Sequence, residues 1–138
     1  MPANTNPIYT LAPDIEWGAY ALSAANTTKS GTGTVLTVFT ADATNGGYVN
    51  KIRFRAAGTN VATVARVFIN NGADNSVSAN NVLYDELTLP ATTLSETAQL
   101  TNQEIVWNLA LPAGYKINTT LGTAVAAGYY VSVVGGKY

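Results

Sequence analysis

Short runs of β-branched and aromatic residues recur along the chain, and turn residues separate each run from the next. Thr34–Ala41 is followed by Asp42–Gly47 (DATNGG), and Val61–Asn70 is followed by Asn71-Gly72. Runs of this length, bounded by Gly, Asn and Asp, are typical of strands, whereas helices need longer segments with a period of about 3.6 residues. The sequence therefore predicts an all-β chain.

Two segments alternate clearly between apolar and other residues. In Tyr48–Ala56 the apolar residues occupy one face of the predicted strand and three basic residues occupy the other. Such a strand buries one face and exposes the other. In Ile105–Leu111, Trp107 alternates with Ile105 and Leu109, which predicts that Trp107 belongs to the core. The face of Tyr48–Ala56 expected to be buried consists of Ile52, Phe54 and Ala56.

Further strands are expected at Trp17–Ala25, Val82–Leu89, Tyr115–Leu121 and Tyr129–Val134. The total is then about seven or eight short strands with turns between them, which indicates an antiparallel β-sandwich of jelly-roll or immunoglobulin-like character. Residues 93–104 are ambiguous, because Thr and Glu are spaced there as in a capping box, twice over. That spacing predicts a short helix before the strand that contains Trp107.

The first 15 residues predict an extended N-terminal arm, and residues 16–138 form the predicted sandwich domain. The arm holds three prolines, which favour extended backbone and remove hydrogen-bond donors. It has too few periodic apolar positions to join the sandwich as a regular strand, yet a stiff segment loses little entropy when it docks on a neighbour. The arm residues expected to contact a partner are Pro7, Ile8, Tyr9 and Leu11.

The chain contains no His and no Cys, which removes the side chains best suited to proton transfer near neutral pH, thiol chemistry and zinc binding. Carboxylate catalysis is a poor fit, since Asp14 and Glu16 share a face but lie in the proline-rich entry. Asn70–Asn75 (NNGADN) fits a turn better than a calcium site, because it offers one carboxylate. We expect a binding or structural protein with no enzymatic activity, no cofactor and no metal.

Charged residues make up 11% of the chain and fall into two blocks of opposite sign. Residues 29–66 carry five basic residues and one acidic residue, whereas residues 74–104 carry five acidic residues and no basic ones. Opposite blocks predict pairing, either between neighbouring strands or between subunits. The basic side chains form a solvated face or a protein interface; nucleic acid is disfavoured, because the net charge is −1. The candidate interface residues are Lys51, Arg53, Arg55 and Arg66.

The segment 117–136 has no charged residue and is long enough to cross a bilayer. It contains four glycines and several Thr and Asn residues, which does not resemble a Leu-rich membrane helix. We therefore expect no membrane association.

Several phrases of the sequence resemble the small β-sandwich decoration or cement proteins of tailed-bacteriophage capsids. The likeness covers roughly residues 48–138. It implies a homo-oligomer, with a trimer favoured, that sits on the outer capsid surface of the virion and stabilises contacts between major capsid proteins. An alternative is a carbohydrate-binding adhesin or phage tail-fibre module that uses Trp17 and exposed tyrosines. The phrases are ARVFINNG (65–72), LYDELTLPATTLS (83–95), WNLALPAGYKI (107–117) and AGYYVSVVGG (127–136).

Overall fold

A computed structural model of the chain describes residues 10–100 and 102–138. Within these residues, eight strands form two antiparallel sheets of four strands each, which pack face to face as a sandwich. The predicted all-β sandwich is confirmed. The strands are β1 (Ala12–Trp17), β2 (Leu36–Thr40), β3 (Gly47–Ala56), β4 (Thr63–Asn70), β5 (Asn81–Leu89), β6 (Gln103–Leu111), β7 (Lys116–Leu121) and β8 (Tyr129–Lys137).

Sheet A has the strand order β1-β8-β3-β6, and sheet B has the order β2-β7-β4-β5. The core lies between the two sheets, where Ile52 and Phe54 of β3 face Val67, Ile117 and Leu121 of sheet B. All five of these side chains are fully buried. The alternation that the sequence shows in β3 is therefore the alternation between core and solvent.

A bulge in β3 keeps two separated residues on the core side. Both ladders of β3 shift register between Val49 and Lys51, and in the ladder with β8 Asn50 is the extra residue. Val49 and Ile52 are three positions apart and would point to opposite faces of a regular strand. Because the bulge inserts one residue, both are buried in the core.

The connections at one end of the sandwich are joined by the buried side chain of Asn60. Its Oδ1 accepts hydrogen bonds from the amides of Ala127 and Gly128, each 2.9 Å long, and its Nδ2 donates to the carbonyl of Gly128 at 3.0 Å. Its backbone also pairs with that of Thr92. One asparagine thus links the β3–β4, β5–β6 and β7–β8 connections, which satisfies polar groups that burial would otherwise leave unpaired.

The segment expected to be a strand at Trp17–Ala25 is mostly irregular, so this prediction is wrong. Trp17 ends β1, and only single bridges follow, from Leu22 to Tyr129 and from Ala25 to Leu121. The chain then passes over the outward face of sheet B, where it covers the buried ring of Phe68. These residues pack across a sheet face and do not pair as a strand, so their apolar and polar side chains do not need to alternate.

The helix expected within residues 93–104 is also wrong. The described residues of this stretch are irregular up to Gln103, where β6 begins. The amide of Leu94 donates to the Oγ1 of Thr59 at 3.0 Å, which ties the connection to the β3–β4 loop. A capping box marks only the start of a helix, and this segment has no apolar stripe that a helix could bury.

The expectation that residues 2–15 stay outside the sandwich is wrong for Ala12–Ile15. These residues belong to β1, which pairs with β8 along the edge of sheet A, so the boundary expected after residue 15 falls inside a strand. Pro13 is compatible with this position, because an edge strand needs fewer backbone donors. The arm residues Pro7, Ile8 and Tyr9 lie outside the described residues.

The two tryptophans give a matched test of the core. Trp107 is 8% exposed, whereas Trp17 is 70% exposed. We expect Trp107→Ala to lower the free energy of unfolding by about 3 to 5 kcal/mol, because it empties a large space in a packed interior. Trp17→Ala should change it by no more than about 0.5 kcal/mol. Urea unfolding of both variants measures the difference, and equal losses would contradict the core assignment.

Candidate interaction surface

The outward face of sheet A brings apolar and basic side chains together. Trp17 of β1 lies opposite Ser132 of β8, which lies opposite Arg53 of β3. In the next row, Ile15 lies opposite Val134 and Val134 lies opposite Lys51. Directly opposite residues of an antiparallel pair share a face, so both rows face solvent together. We call this the docking face; its residues are Ile15, Trp17, Tyr130, Val134, Lys51, Arg53 and Arg55.

The apolar part of the docking face is unusually exposed for large side chains. Ile15 is 59% exposed, Trp17 is 70% exposed and Tyr130 is 62% exposed. Val106 of β6, opposite Lys51, is 72% exposed and extends the same face. Neighbouring exposed apolar residues on a sheet mark a surface suited to contact with another molecule.

The basic part of the docking face is only partly neutralised. Arg53 forms an ion pair with Glu104 across the β3–β6 ladder, with Nη2 and Oε1 2.5 Å apart. Lys51 lies 3.7 Å from the other oxygen of the same carboxylate. Arg55 donates a hydrogen bond to Asn102, a neutral partner. Two cations therefore share one carboxylate and the third has a neutral partner, which leaves this part of the face positive.

The structure separates Arg66 from the other predicted interface residues. Arg66 lies on the outward face of sheet B, where its Nε is 2.9 Å from Oε1 of Glu86 across the β4–β5 ladder. The pairing predicted between the two charge blocks therefore occurs between neighbouring strands at Arg66, Arg53 and Lys51. Leu11 is exposed beside β1, and its amide donates to the carbonyl of Lys137 at 3.0 Å. Leu11 is thus next to the docking face, and Arg66 is not.

The other face of β1 holds a cluster of charged groups that the sequence interpretation set aside. Asp14 and Glu16 point toward the open side of the sandwich, and Lys137 of β8 approaches both. The distance from Lys137 Nζ is 3.4 Å to Asp14 Oδ2 and 3.6 Å to Glu16 Oε2. The shared face of Asp14 and Glu16 was readable from their spacing, but Lys137 is at the other end of the chain.

Burial, a hydrogen bond with Asp14 and the charge of that residue raise the pKa of Glu16 to about 7. For Lys137, burial lowers the pKa while the carboxylates of Glu16 and Asp14 raise it, and the net change is a rise. The carboxyl of Glu16 therefore keeps its proton to a higher pH than an ordinary glutamate does, next to the ammonium group of Lys137.

Two further acidic residues, Asp85 and Asp74, have structural hydrogen-bond partners. Asp85 accepts a hydrogen bond from Trp107 Nε1 at 3.0 Å at the opposite edge of the sandwich. In the Asn70–Asn75 turn, Asp74 accepts from the amide of Ser76 at 2.9 Å, which lowers the pKa of its carboxyl. No group of metal-binding side chains occurs in the described part of the chain. The described residues contain no helix with the length and apolar character of a membrane span.

Comparisons with protein-family models, curated proteins and solved structures find no match to this chain.

The raised pKa of Glu16 predicts a specific dependence of stability on pH. Between its ordinary value of 4.5 and about 7, the folded state binds a proton that the unfolded state has released. The free energy of unfolding should therefore fall as pH rises through this range, by about 1 kcal/mol after allowance for solvent screening. Glu16→Gln should remove this slope. Urea unfolding of both proteins at several pH values measures it, and identical slopes would assign it to other groups.

Proposed function

We propose that this protein is a virion structural protein, a capsid decoration or cement protein that binds the outer capsid surface through its docking face. It stabilises contacts between major capsid proteins and has no catalytic role. The observation that supports this proposal most directly is the continuous outward surface of sheet A, where Ile15, Trp17 and Tyr130 are exposed beside Lys51 and Arg55. The sequence phrases that resemble decoration proteins support it independently.

A partner that fits the docking face offers an apolar patch beside carboxylates. The apolar residues at the β1–β8 edge supply burial on contact, and the partly neutralised cations of β3 set the orientation. A single contact of this size is weak, since exposed charges add little to affinity in salt. Repetition over a capsid multiplies such contacts into high avidity, which suits attachment at many equivalent positions.

The second candidate function is a carbohydrate-binding adhesin or tail-fibre module. Its support is the position of Trp17 and Tyr130, which are exposed diagonal neighbours on adjacent strands of one face. Aromatic rings placed this way can stack on sugar rings while nearby polar side chains bind hydroxyl groups. Trp107 does not contribute to this sugar-stacking surface, because it is buried and donates a hydrogen bond to Asp85.

The docking face is tested by a double variant, Trp17→Ala with Tyr130→Ala. We expect its affinity for undecorated capsids to fall about tenfold or more, because exposed aromatic residues at the centre of an interface carry much of its binding energy. Val77→Ala is the matched control, since Val77 is also exposed but lies in the loop before β5. Co-sedimentation with particles measures the occupancy of each protein.

Unchanged occupancy of the double variant would contradict docking through this face. A variant that keeps capsid occupancy but loses binding to a glycan array would instead support the adhesin.

Self-association is a separate expectation of the proposal. Charged residues make up only 11% of the chain and the net charge is −1, so little repulsion opposes association. We expect a homo-oligomer in solution, with a trimer favoured by the resemblance to decoration proteins. Light scattering should give three times the mass of one chain, and a monomer at high concentration would contradict this.

A further inference from the structure

The charged cluster at the β1–β8 edge joins the first and last strands of the described chain. Lys137 Nζ lies 3.4 Å from Asp14 Oδ2, so that the amine, once deprotonated, needs only a small movement to reach the carboxyl carbon. That Asp14 oxygen is shielded from solvent and has no hydrogen-bond partner among the described residues. Glu16 lies beside both groups, with its Oε2 3.6 Å from the same Nζ.

We propose that Lys137 and Asp14 condense to an intramolecular amide bond, with Glu16 as the acid–base group that carries the proton. This inference is independent of the proposed docking function, because it rests only on the three side chains of the cluster.

The reaction needs no oxidant, reductant or co-reactant. The ammonium of Lys137 gives up a proton within the cluster, and the neutral amine attacks Cγ of Asp14 to form a C–N bond. Glu16 donates a proton to the departing oxygen and recovers one from the nitrogen, so that a C–O bond breaks and one water leaves. The net change is one ammonium and one carboxylate converted to one amide and one water.

The strand register explains why these groups meet. Lys137 lies opposite Ala12, and Asp14 is two residues further along β1, so the pair are diagonal neighbours on one face of the ladder. A reactant held in this position has an effective concentration far above that of a free amine. Burial and Asp14 raise the pKa of Glu16 to about 7, which makes a proton donor available at the site.

The bond would change what holds β1 in place. β1 is an edge strand that pairs only with β8 among the described strands, and its inward side chains Asp14 and Glu16 contribute charge rather than apolar burial. A covalent link from Asp14 to Lys137 would fasten this strand to the sheet. Loss of β1 from the fold would then require breaking an amide.

The intact mass of the full chain tests the proposal. We expect the protein, kept at neutral pH, to be about 18 Da lighter than its sequence, the mass of one water. Trypsin digestion locates the amide bond, because cleavage after Lys29 and Lys116 places Asp14 and Lys137 in different peptides. A bonded Lys137 resists cleavage, so residues 1–29 should appear joined to residues 117–138 as one branched peptide.

Three variants distinguish this amide bond from other causes of a lower mass. Asp14→Asn should lose ammonia, about 17 Da, because an amide leaving group replaces water. Lys137→Arg keeps the cation but lacks the amine, and it should have its full mass. Glu16→Gln should form the bond much more slowly, or not at all. Far-UV circular dichroism shows whether each variant keeps the β-sandwich.

The proposal is overturned if the unaltered protein has its full mass and yields no branched peptide, which would leave the cluster an ordinary ion pair. It is also overturned if the mass loss persists in Lys137→Arg. That result would assign the loss of water to a carboxyl group that does not react with Lys137. If Lys137→Arg does not fold, the ammonia loss of Asp14→Asn decides the question.

Discussion

The sandwich depends on closing the two open sides between its sheets. Two sheets bury their inner faces only if water is kept out at both edges, and here each edge is closed by polar groups that bond to one another. At the β5–β6 edge the Trp107 ring fills the gap, and its Nε1 is satisfied by Asp85. At the β1–β2 edge, Asp14 and Glu16 meet Lys137. Inward charges of this kind also discourage pairing with another chain's strands.

The inward placement of Asp14 and Glu16 determines which side chains β1 presents on the outward face of sheet A. Since the inward positions of β1 are carboxylates, the apolar residues Ile15 and Trp17 occupy its outward positions, the reverse of an ordinary surface strand. They then lie next to the exposed residues of β8 and the basic residues of β3. The docking face thus follows from the way the edge is closed, and both depend on the register of β1 with β8.

The parts of the fold that local patterns describe were predictable, and those that depend on distant partners were not. β3 was predicted because Ile52 and Phe54 alternate with Lys51 and Arg53 within the segment itself. β1 was missed because its alternation is inverted, so that only pairing with β8 shows it to be a strand. The docking face was half predicted: its basic residues stand out in the sequence, whereas Trp17 and Tyr130 meet only when β1 and β8 pair. No sequence pattern near Asp14 indicates that Lys137 will lie next to it in the fold.

β1 contributes side chains to both the docking face and the charged cluster. Its outward side chains belong to the docking face, and its inward side chains belong to the charged cluster. A loose edge strand would have to be ordered when a partner binds, at a cost in conformational entropy. Whatever fixes β1 to β8, whether ion pairs or a covalent bond, removes that cost in advance and keeps Ile15 and Trp17 in register with Val134 and Ser132. In the function proposed above, the charged cluster would therefore favour binding through preorganisation, without contacting the partner itself.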